Sequence, residues 1–225
     1  MVGIADPDRK NRKTFLGLNS LVGLVKEHDC YKEVLSENAG LDGAIITTPN
    51  HPHVEPAIDC FKRELAVALE KPIAEHPQAC KEMLDAKRKY DGRVIVGFVL
   101  RSAPFYKKAN QWLNEGRLGE IVSIQADEIP HVLTTSVIFR SDRKRFKKIS
   151  GGAMNEKCSH DVDLLNWLTG SDPVRLFSIV GRKTLLPRED LPMKCSDCPI
   201  TSECAYFLPP SKYDHPDMVK TANDG

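Results

Sequence analysis

The sequence predicts an α/β protein, in which a doubly wound parallel sheet is followed by an α+β domain with an open sheet. Up to residue 99, short apolar segments alternate with helical patterns, which is typical of a parallel sheet with helices on both faces. Beyond residue 100 the pattern changes, because residues 120–127 alternate apolar and polar side chains as a half-exposed strand does. We therefore predict two domains, 1–100 and 101–225, the second with a cysteine-rich tail at 191–225.

Four apolar segments are predicted to form the strands of the first domain. The segment at 44–48 has the apolar character of a strand in the centre of a parallel sheet. Strands are predicted at 2–6, 44–48, 65–69 and 93–99, and helices at 31–36, 54–62 and 76–90, with a partly helical stretch at 9–26. Ligands of such sheets bind beyond the carboxyl ends of the strands. Asp6, Lys71, Arg101 and residues 48–53 lie at those ends.

A helix is predicted in the second domain between the Gly151-Gly152 pair and Gly170, which is followed by a Ser-Asp-Pro sequence that cannot continue it. At 100° per residue, four of its side chains fall within an arc of about 60°: Glu156, His160, Asp163 and Trp167. Such a titratable face either lines a cleft or forms an ordinary surface network around the histidine, and the helix alone favours neither. The remaining predicted elements are a helix at 104–116 and strands at 120–127 and 174–180.

Composition narrows the class of protein. The chain has 225 residues, 41% hydrophobic and 28% charged, with a net charge of +1. These values are ordinary for a soluble globular protein. A net charge this small gives no strong positive electrostatic potential that would favour binding to nucleic acid or to an anionic membrane. The sequence contains no apolar run of membrane-spanning length and no secretory signal. Seven cysteines, an odd number, indicate free thiols in a reducing compartment, so we expect a cytoplasmic protein.

Three of these cysteines form a second cluster, because Cys195, Cys198 and Cys204 have the spacing of metal ligands. Thiolates favour zinc or iron–sulfur centres, with His215 or Cys158 as the fourth ligand. The alternative is three free thiols in the tail. The cluster therefore predicts a structural zinc site as one of two open interpretations.

Four short motifs occur in order along the chain: VGIADPD at 2–8, IITTPNH at 45–51 with His53, EKPIA at 70–74, and the helix from Gly151-Gly152 through His160, Asp163 and Trp167. Together they resemble the glucose–fructose oxidoreductase / inositol dehydrogenase / MocA (Gfo/Idh/MocA) family of nicotinamide-dependent oxidoreductases, over roughly residues 1–183. The resemblance implies a partial Rossmann domain without the family's first strand and glycine-rich phosphate turn, followed by an incomplete α+β domain. We therefore expect a fragment, truncated at both ends, that binds NAD(P) poorly.

The resemblance implies that Lys71 and His160 form the catalytic pair. Glu156 stands four residues before the histidine, where the family usually has Asp, and either Glu156 or Asp163 would orient the imidazole. The residue types suit removal of a hydride from a carbon that bears a hydroxyl, because histidine can take the hydroxyl proton near pH 7. The Lys71 ammonium would hydrogen-bond the same oxygen and stabilise its developing charge.

The family's cofactor contacts carry over to the strand ends. Asp6 would accept the ribose hydroxyls, and Arg9, with Lys10 and Arg12, could accommodate a 2′-phosphate, so both NAD and NADP stay open. Arg101 lies at the same edge. The nicotinamide side of the groove is implied to involve Thr48, Pro49, Asn50, His53, Glu70 and Lys71.

The sequence therefore predicts an NAD(P)-dependent oxidoreductase that acts on a small-molecule sugar, inositol or related polyol. The alternative is a catalytically weak or inactive relative that senses a ligand or binds a protein. A metal-dependent hydrolase built on His160, Glu156 and the cysteines is a third and weaker interpretation, because no His-x-x-x-His or carboxylate cage occurs. An open sheet face in the second domain would suit a homodimer interface.

Overall fold

The structure is a computed structural model that describes residues 1–130, 146–181, 190–192, 195–204 and 207. The chain divides into two compact units, Met1–Gly97 and Phe98–Gly225. The first unit carries every strand found among the described residues, and the regular structure described in the second unit consists of helices and helical turns.

The strands of the first unit are all paired in parallel, which confirms the predicted parallel α/β arrangement. One sheet pairs the first two strands, and the other has the order β3-β4-β5. Their bounds are β1 Gly3–Ala5, β2 Lys26–His28, β3 Gly43–Ile46, β4 Ala66–Leu69 and β5 Val94–Val96. Strands β1, β4 and β5 lie within their predicted segments, β3 begins one residue before its predicted segment at 44–48, and β2 was not predicted.

Four helices alternate with these strands: α1 Arg9–Leu18, α2 Tyr31–Glu37, α3 Val54–Phe61 and α4 Pro77–Lys89. Side chains cap two of them, since Asp8 accepts from the Lys10 amide at 2.8 Å and His76 accepts from the Ala79 amide at 3.1 Å. Helix α4 also has a proline at its first position, where a missing N–H costs nothing. No helix within the described ranges is long and apolar enough to cross a membrane.

The core of the first unit lies between the three-stranded sheet and the helices α3 and α4. Ala57 and Phe61 of α3 have no exposed surface, and Val67 and Leu69 of β4 are buried against them. Successive strand residues point to opposite faces of a sheet, so Ile45 lies on the other face, where it is 75% exposed. Among the described residues, the helices therefore cover one face of this sheet.

Among its described residues, the second unit has three α-helices and a π turn, besides short 3-10 turns: α5 Pro104–Asn114, α6 Lys147–Ser150, the π turn Met154–Cys158, and α7 Ser159–Thr169. The strands predicted at 120–127 and 174–180 are wrong, because neither segment has strand structure. Their apolar side chains are instead exposed, Val122 by 94% and Phe177 by 86%. A strand needs a neighbour to accept and donate its backbone hydrogen bonds, and the described residues of this unit offer these segments none.

Candidate active site

The loop after β1 fixes the carboxylate of Asp6 at the carboxyl end of that strand. Its Oδ1 accepts from the Asp8 amide at 2.7 Å, and the Asn11 side-chain amide lies 3.4 Å from its Oδ2. The backbone oxygen of Asp6 accepts from the guanidinium of Arg12. A carboxylate has about four lone-pair sites, so these contacts leave Asp6 able to accept further hydrogen bonds.

Arg12 stabilises this loop through its buried guanidinium, a role that the sequence did not predict. The residue is 6% exposed, and its guanidinium pairs with Glu27 at 3.2 Å and with Asp29 at 2.7 Å. Its charge is therefore already balanced by two carboxylates from β2 and the residue that follows it. The basic side chains that remain exposed near Asp6 include Arg9 and Lys10.

The loop after β3 includes the exposed residues Thr48 and Pro49, continues through the half-buried Asn50, and forms a 3-10 turn at His51–His53. His53 has no exposed surface. Its Nδ1 lies 2.9 Å from the carbonyl oxygen of Pro72, and its Nε2 lies 2.7 Å from the carbonyl oxygen of Thr48. Both ring nitrogens of His53 thus contact backbone carbonyl oxygens, and the predicted contact of this residue with the cofactor stays a prediction.

The loop after β4 carries Glu70 and Lys71, and its Lys71–Pro72 peptide bond is cis. The Glu70 amide donates to Ile46 of β3 at 2.9 Å, and the Glu70 carboxylate accepts from the Lys71 amide at 3.3 Å. This carboxylate also packs over Gly97, where a Cβ atom would lie 3.3 Å from its nearest oxygen. Gly97 was not predicted to matter, although a glycine within a strand pattern can signal such a close approach.

A second histidine joins the same two loops at the surface. His51 is 72% exposed at its side chain, and its Nδ1 lies 2.8 Å from a carboxylate oxygen of Glu75, whose own side chain is 8% exposed. Burial alone would raise the pKa of Glu75, but the hydrogen bond from His51, a backbone hydrogen bond and the nearby His76 lower it overall. The loops after β3 and β4 are thus bridged twice, once in the interior and once at the surface.

In the second unit, His160 lies in the first turn of α7, directly after the π turn that contains Glu156. Glu156 is 4% exposed, and the His160 ring meets Phe98 edge to face with centroids 6.0 Å apart. The predicted end of the helix at Gly170 is confirmed, since this residue adopts a left-handed φ of 61°. The predicted 60° arc is wrong for Glu156, because a π turn does not advance by 100° per residue.

Asp163 is held by Arg101 rather than by His160. Its two carboxylate oxygens accept from the Arg101 guanidinium at 2.7 and 2.6 Å, and this hydrogen bonding raises the pKa of Arg101. The guanidinium also lies 5.7 Å from the centre of the Trp167 ring. The roles predicted for Asp163 at the imidazole and for Arg101 at the cofactor stay predictions. An open groove beside them is lined by Arg101, Asn166, Trp167, Gly170, Ser171 and Asp172.

The cysteine cluster begins with a short 3-10 turn, Cys195–Asp197, after which the Cys198 amide donates to the Cys195 carbonyl at 3.2 Å. Cys195, Cys198 and Cys204 form no disulfide bond within the described part of the chain. Within the described ranges, no group of three or more His, Cys, Asp or Glu side chains is arranged to hold a metal ion. The structure therefore gives no support to the predicted zinc site, and His215, one candidate for the fourth ligand, lies outside the described residues.

Comparison with known protein families assigns both halves of the chain. A sequence model of the oxidoreductase family with an NAD-binding Rossmann fold matches residues 1–98, and one of the GFO/IDH/MocA C-terminal domain matches residues 106–192. The chain belongs to the Gfo/Idh/MocA family. This membership confirms the resemblance carried by the four motifs and the Rossmann-like fold of the first unit, which the family model describes as NAD-binding.

Relatives within the Gfo/Idh/MocA family include inositol 2-dehydrogenase from Rhizobium meliloti, which is 31% identical over 63% of this chain and 41% of its own length. The rhizopine catabolism protein MocA of Rhizobium meliloti is 25% identical over 82% of this chain and 53% of its own length. The crystal structure of myo-inositol 2-dehydrogenase from Lactobacillus plantarum has the same fold, with a TM-score of 0.65 and 24% identity, over 77% of this chain and 50% of that one. The chain thus spans about half the length of the relatives it matches.

Proposed function

We propose that the chain belongs to an NAD-dependent oxidoreductase that transfers a hydride between the cofactor and a hydroxyl-bearing carbon of a sugar, inositol or related polyol. The observation that carries this proposal is the set of polar loops at the carboxyl ends of β1, β3 and β4, in a chain of an NAD-binding oxidoreductase family. Ligands of parallel α/β sheets bind at this edge. The inositol 2-dehydrogenase among the relatives supports a polyol as the substrate class.

NAD is the preferred cofactor in this proposal, because Asp6 fits a ribose that carries two free hydroxyls. Its carboxylate is fixed by the Asp8 amide and retains acceptor capacity. A 2′-phosphate would face this negative charge, and the buried Arg12 is already paired with Glu27 and Asp29. Both features disfavour NADP.

Replacing Asp6 by Asn tests the choice of cofactor. Hydrogen bonds to a charged group contribute about 1.5–3 kcal/mol each, so losing one weakens NAD binding by about 10- to 150-fold. The substitution should leave NADP binding unchanged or make it tighter. Calorimetric titration of both dinucleotides measures the two affinities. Tighter binding of NADP than of NAD by the unsubstituted protein would contradict the choice.

The proposed catalytic groups are His160 and Lys71, with Glu156 as the residue that orients the imidazole. Bound nicotinamide supplies the acceptor for the hydride. His160 takes the proton of the substrate hydroxyl as the C–H bond on the same substrate carbon gives up its hydride. The Lys71 ammonium donates a hydrogen bond to the oxygen of that hydroxyl. What supports these roles is that Lys71 follows β4 at the ligand-binding edge and that His160 lies directly after a π turn, a feature frequent at functional sites.

Substitution of Lys71 by Met, compared with Lys81→Met, tests the catalytic assignment. Lys81 lies on α4 with its side chain 69% exposed, so its loss removes a charge of the same kind from the solvent face. We expect Lys71→Met and His160→Ala each to lower kcat by about 10²- to 10⁴-fold with folding retained. NADH formation with a panel of inositols and sugars is the assay. Equal activity of the Lys71→Met and Lys81→Met variants would refute the role of Lys71.

A further inference from the structure

The buried histidine of the first unit touches both loops to which the proposed nicotinamide contacts belong. His53 precedes helix α3 and is 0% exposed. One of its ring nitrogens contacts the Thr48 carbonyl oxygen, and the other contacts the Pro72 carbonyl oxygen. Thr48 lies in the loop after β3, two residues beyond the end of the strand, and Pro72 directly follows Lys71 in the loop after β4. One ring therefore spans the carboxyl ends of two neighbouring parallel strands.

The chemistry of the two contacts constrains the ring. A carbonyl oxygen only accepts hydrogen bonds, so each of these contacts needs a donor on the histidine side. A neutral imidazole has one N–H group, whereas the doubly protonated ring has two. At 2.9 and 2.7 Å, both contacts have hydrogen-bond distances, and a bare ring nitrogen at either position would set two lone pairs against each other in the interior.

We propose that His53 is a positioning residue, which donates to both carbonyls and so fixes the Thr48 loop and the Lys71 loop relative to each other. It acts through the backbone of its neighbours and does not touch the substrate. Its effect on turnover rests on the proposed function, because that function needs Lys71 and the residues near Thr48 in register. Since misplacement by about 1 Å can cost 10²-fold in rate, a loose connection between these loops is costly.

The surface bridge offers a comparison two residues away. His51 joins the same loops through Glu75, but its side chain is 72% exposed, so water can replace the contact. If His53 positions the loops, its replacement should lower kcat/KM far more than the replacement of His51. If the loops are held by the rest of the fold, the two substitutions should have similar effects.

The kinetic experiment compares His53→Gln and His53→Phe with His51→Ala and with Met83→Ala. Phe fills the site without donors, whereas the Gln amide nitrogen keeps two N–H groups. Met83→Ala destabilises the same core from helix α4, away from the loops. We expect kcat/KM to fall by about 10- to 100-fold in His53→Phe, and less in His53→Gln. His51→Ala should stay within about twofold of the unsubstituted protein, because the exposed side of this contact is open to water that can take the place of the histidine. Equal kinetics for His53→Gln, His53→Phe and Met83→Ala would overturn the proposal.

A second measurement decides the proposal without any turnover. In nitrogen-15 NMR spectra of the histidine-labelled chain, His53 should show two ring N–H groups protected from exchange, assigned by their absence in His53→Gln. A single N–H would overturn the double donation. Absence of turnover in the unsubstituted protein would count against the proposed function alone, and the ring protons would still decide the role of His53.

Discussion

The ion pair between Arg101 and Asp163 allows a structural role to be separated from a catalytic one. Two charge-assisted hydrogen bonds of 2.7 and 2.6 Å join these side chains, which are 44% and 10% exposed. Such bonds contribute about 1.5–3 kcal/mol each when shielded, but the exposed guanidinium loses part of this to solvent screening. We therefore expect a coupling free energy of about 1–2 kcal/mol for the pair.

A double-mutant cycle of Arg101→Met and Asp163→Asn, followed by urea unfolding, measures this coupling. The matched control is the pair Lys81–Asp85 on helix α4, whose members are 69% and 53% exposed at 3.4 Å. Exposed pairs of this spacing couple by about 0.3–0.5 kcal/mol. A coupling no larger than that of the control would refute the reasoning. If Asp163→Asn instead lowers kcat by about 10²-fold with unchanged stability, the result would support the predicted role of Asp163 in orienting the imidazole.

Two further predictions concern the loop after β4. In Gly97→Ala, the new Cβ lies 3.3 Å from the Glu70 carboxylate and forces this carboxylate to move. We expect kcat/KM to fall by about tenfold, while the free energy of unfolding changes by about 1 kcal/mol or less. An unchanged kcat/KM would contradict this prediction. The lowered pKa of Glu75 means that its ionised form stabilises the fold above the ordinary value of 4.5 and that this contribution is lost as the pH falls through the folded pKa. Urea unfolding of Glu75→Gln should accordingly show a weaker decline of stability below about pH 4.5 than the unsubstituted protein, and parallel declines would contradict the assignment.

The strands of the first unit could be predicted where their own side chains are apolar. Strands β3, β4 and β5 consist of Ala, Val, Ile, Leu and one Gly, so composition alone marks them. Strand β2 is Lys26-Glu27-His28, and nothing in those three residues indicates a strand. It forms because β1 offers it hydrogen bonds, including those from the Lys26 amide to Val2 and from the Asp6 amide to His28, each at 3.2 Å. A sequence pattern does not contain that partner.

The motifs located the candidate site, but they did not specify what each side chain contacts. His53 belongs to a motif of the family, yet its ring turns inward to two backbone carbonyls, which carry no sequence signal. Helical spacing placed Asp163 on a polar face of the helix, but its partner Arg101 lies 62 positions earlier in the chain. Arg12 was one of three basic residues near Asp6, and its burial in an ion-pair network distinguishes it from the other two.

In the second unit, the helix prediction for α7 was right and the strand prediction at 174–180 was wrong, and the reason is again the presence or absence of a hydrogen-bonding partner. Helix α7 forms as predicted between its glycines because its backbone hydrogen bonds close within the segment. The segment at 174–180 has an equally clear strand pattern, but its hydrogen bonds need a second segment, and Leu176 and Ile179 remain 89% and 85% exposed. A strand prediction therefore contains an implicit prediction of a neighbour, and the neighbour has to be tested separately. In the first unit that neighbour exists for β1, and it is the polar segment that composition would have rejected.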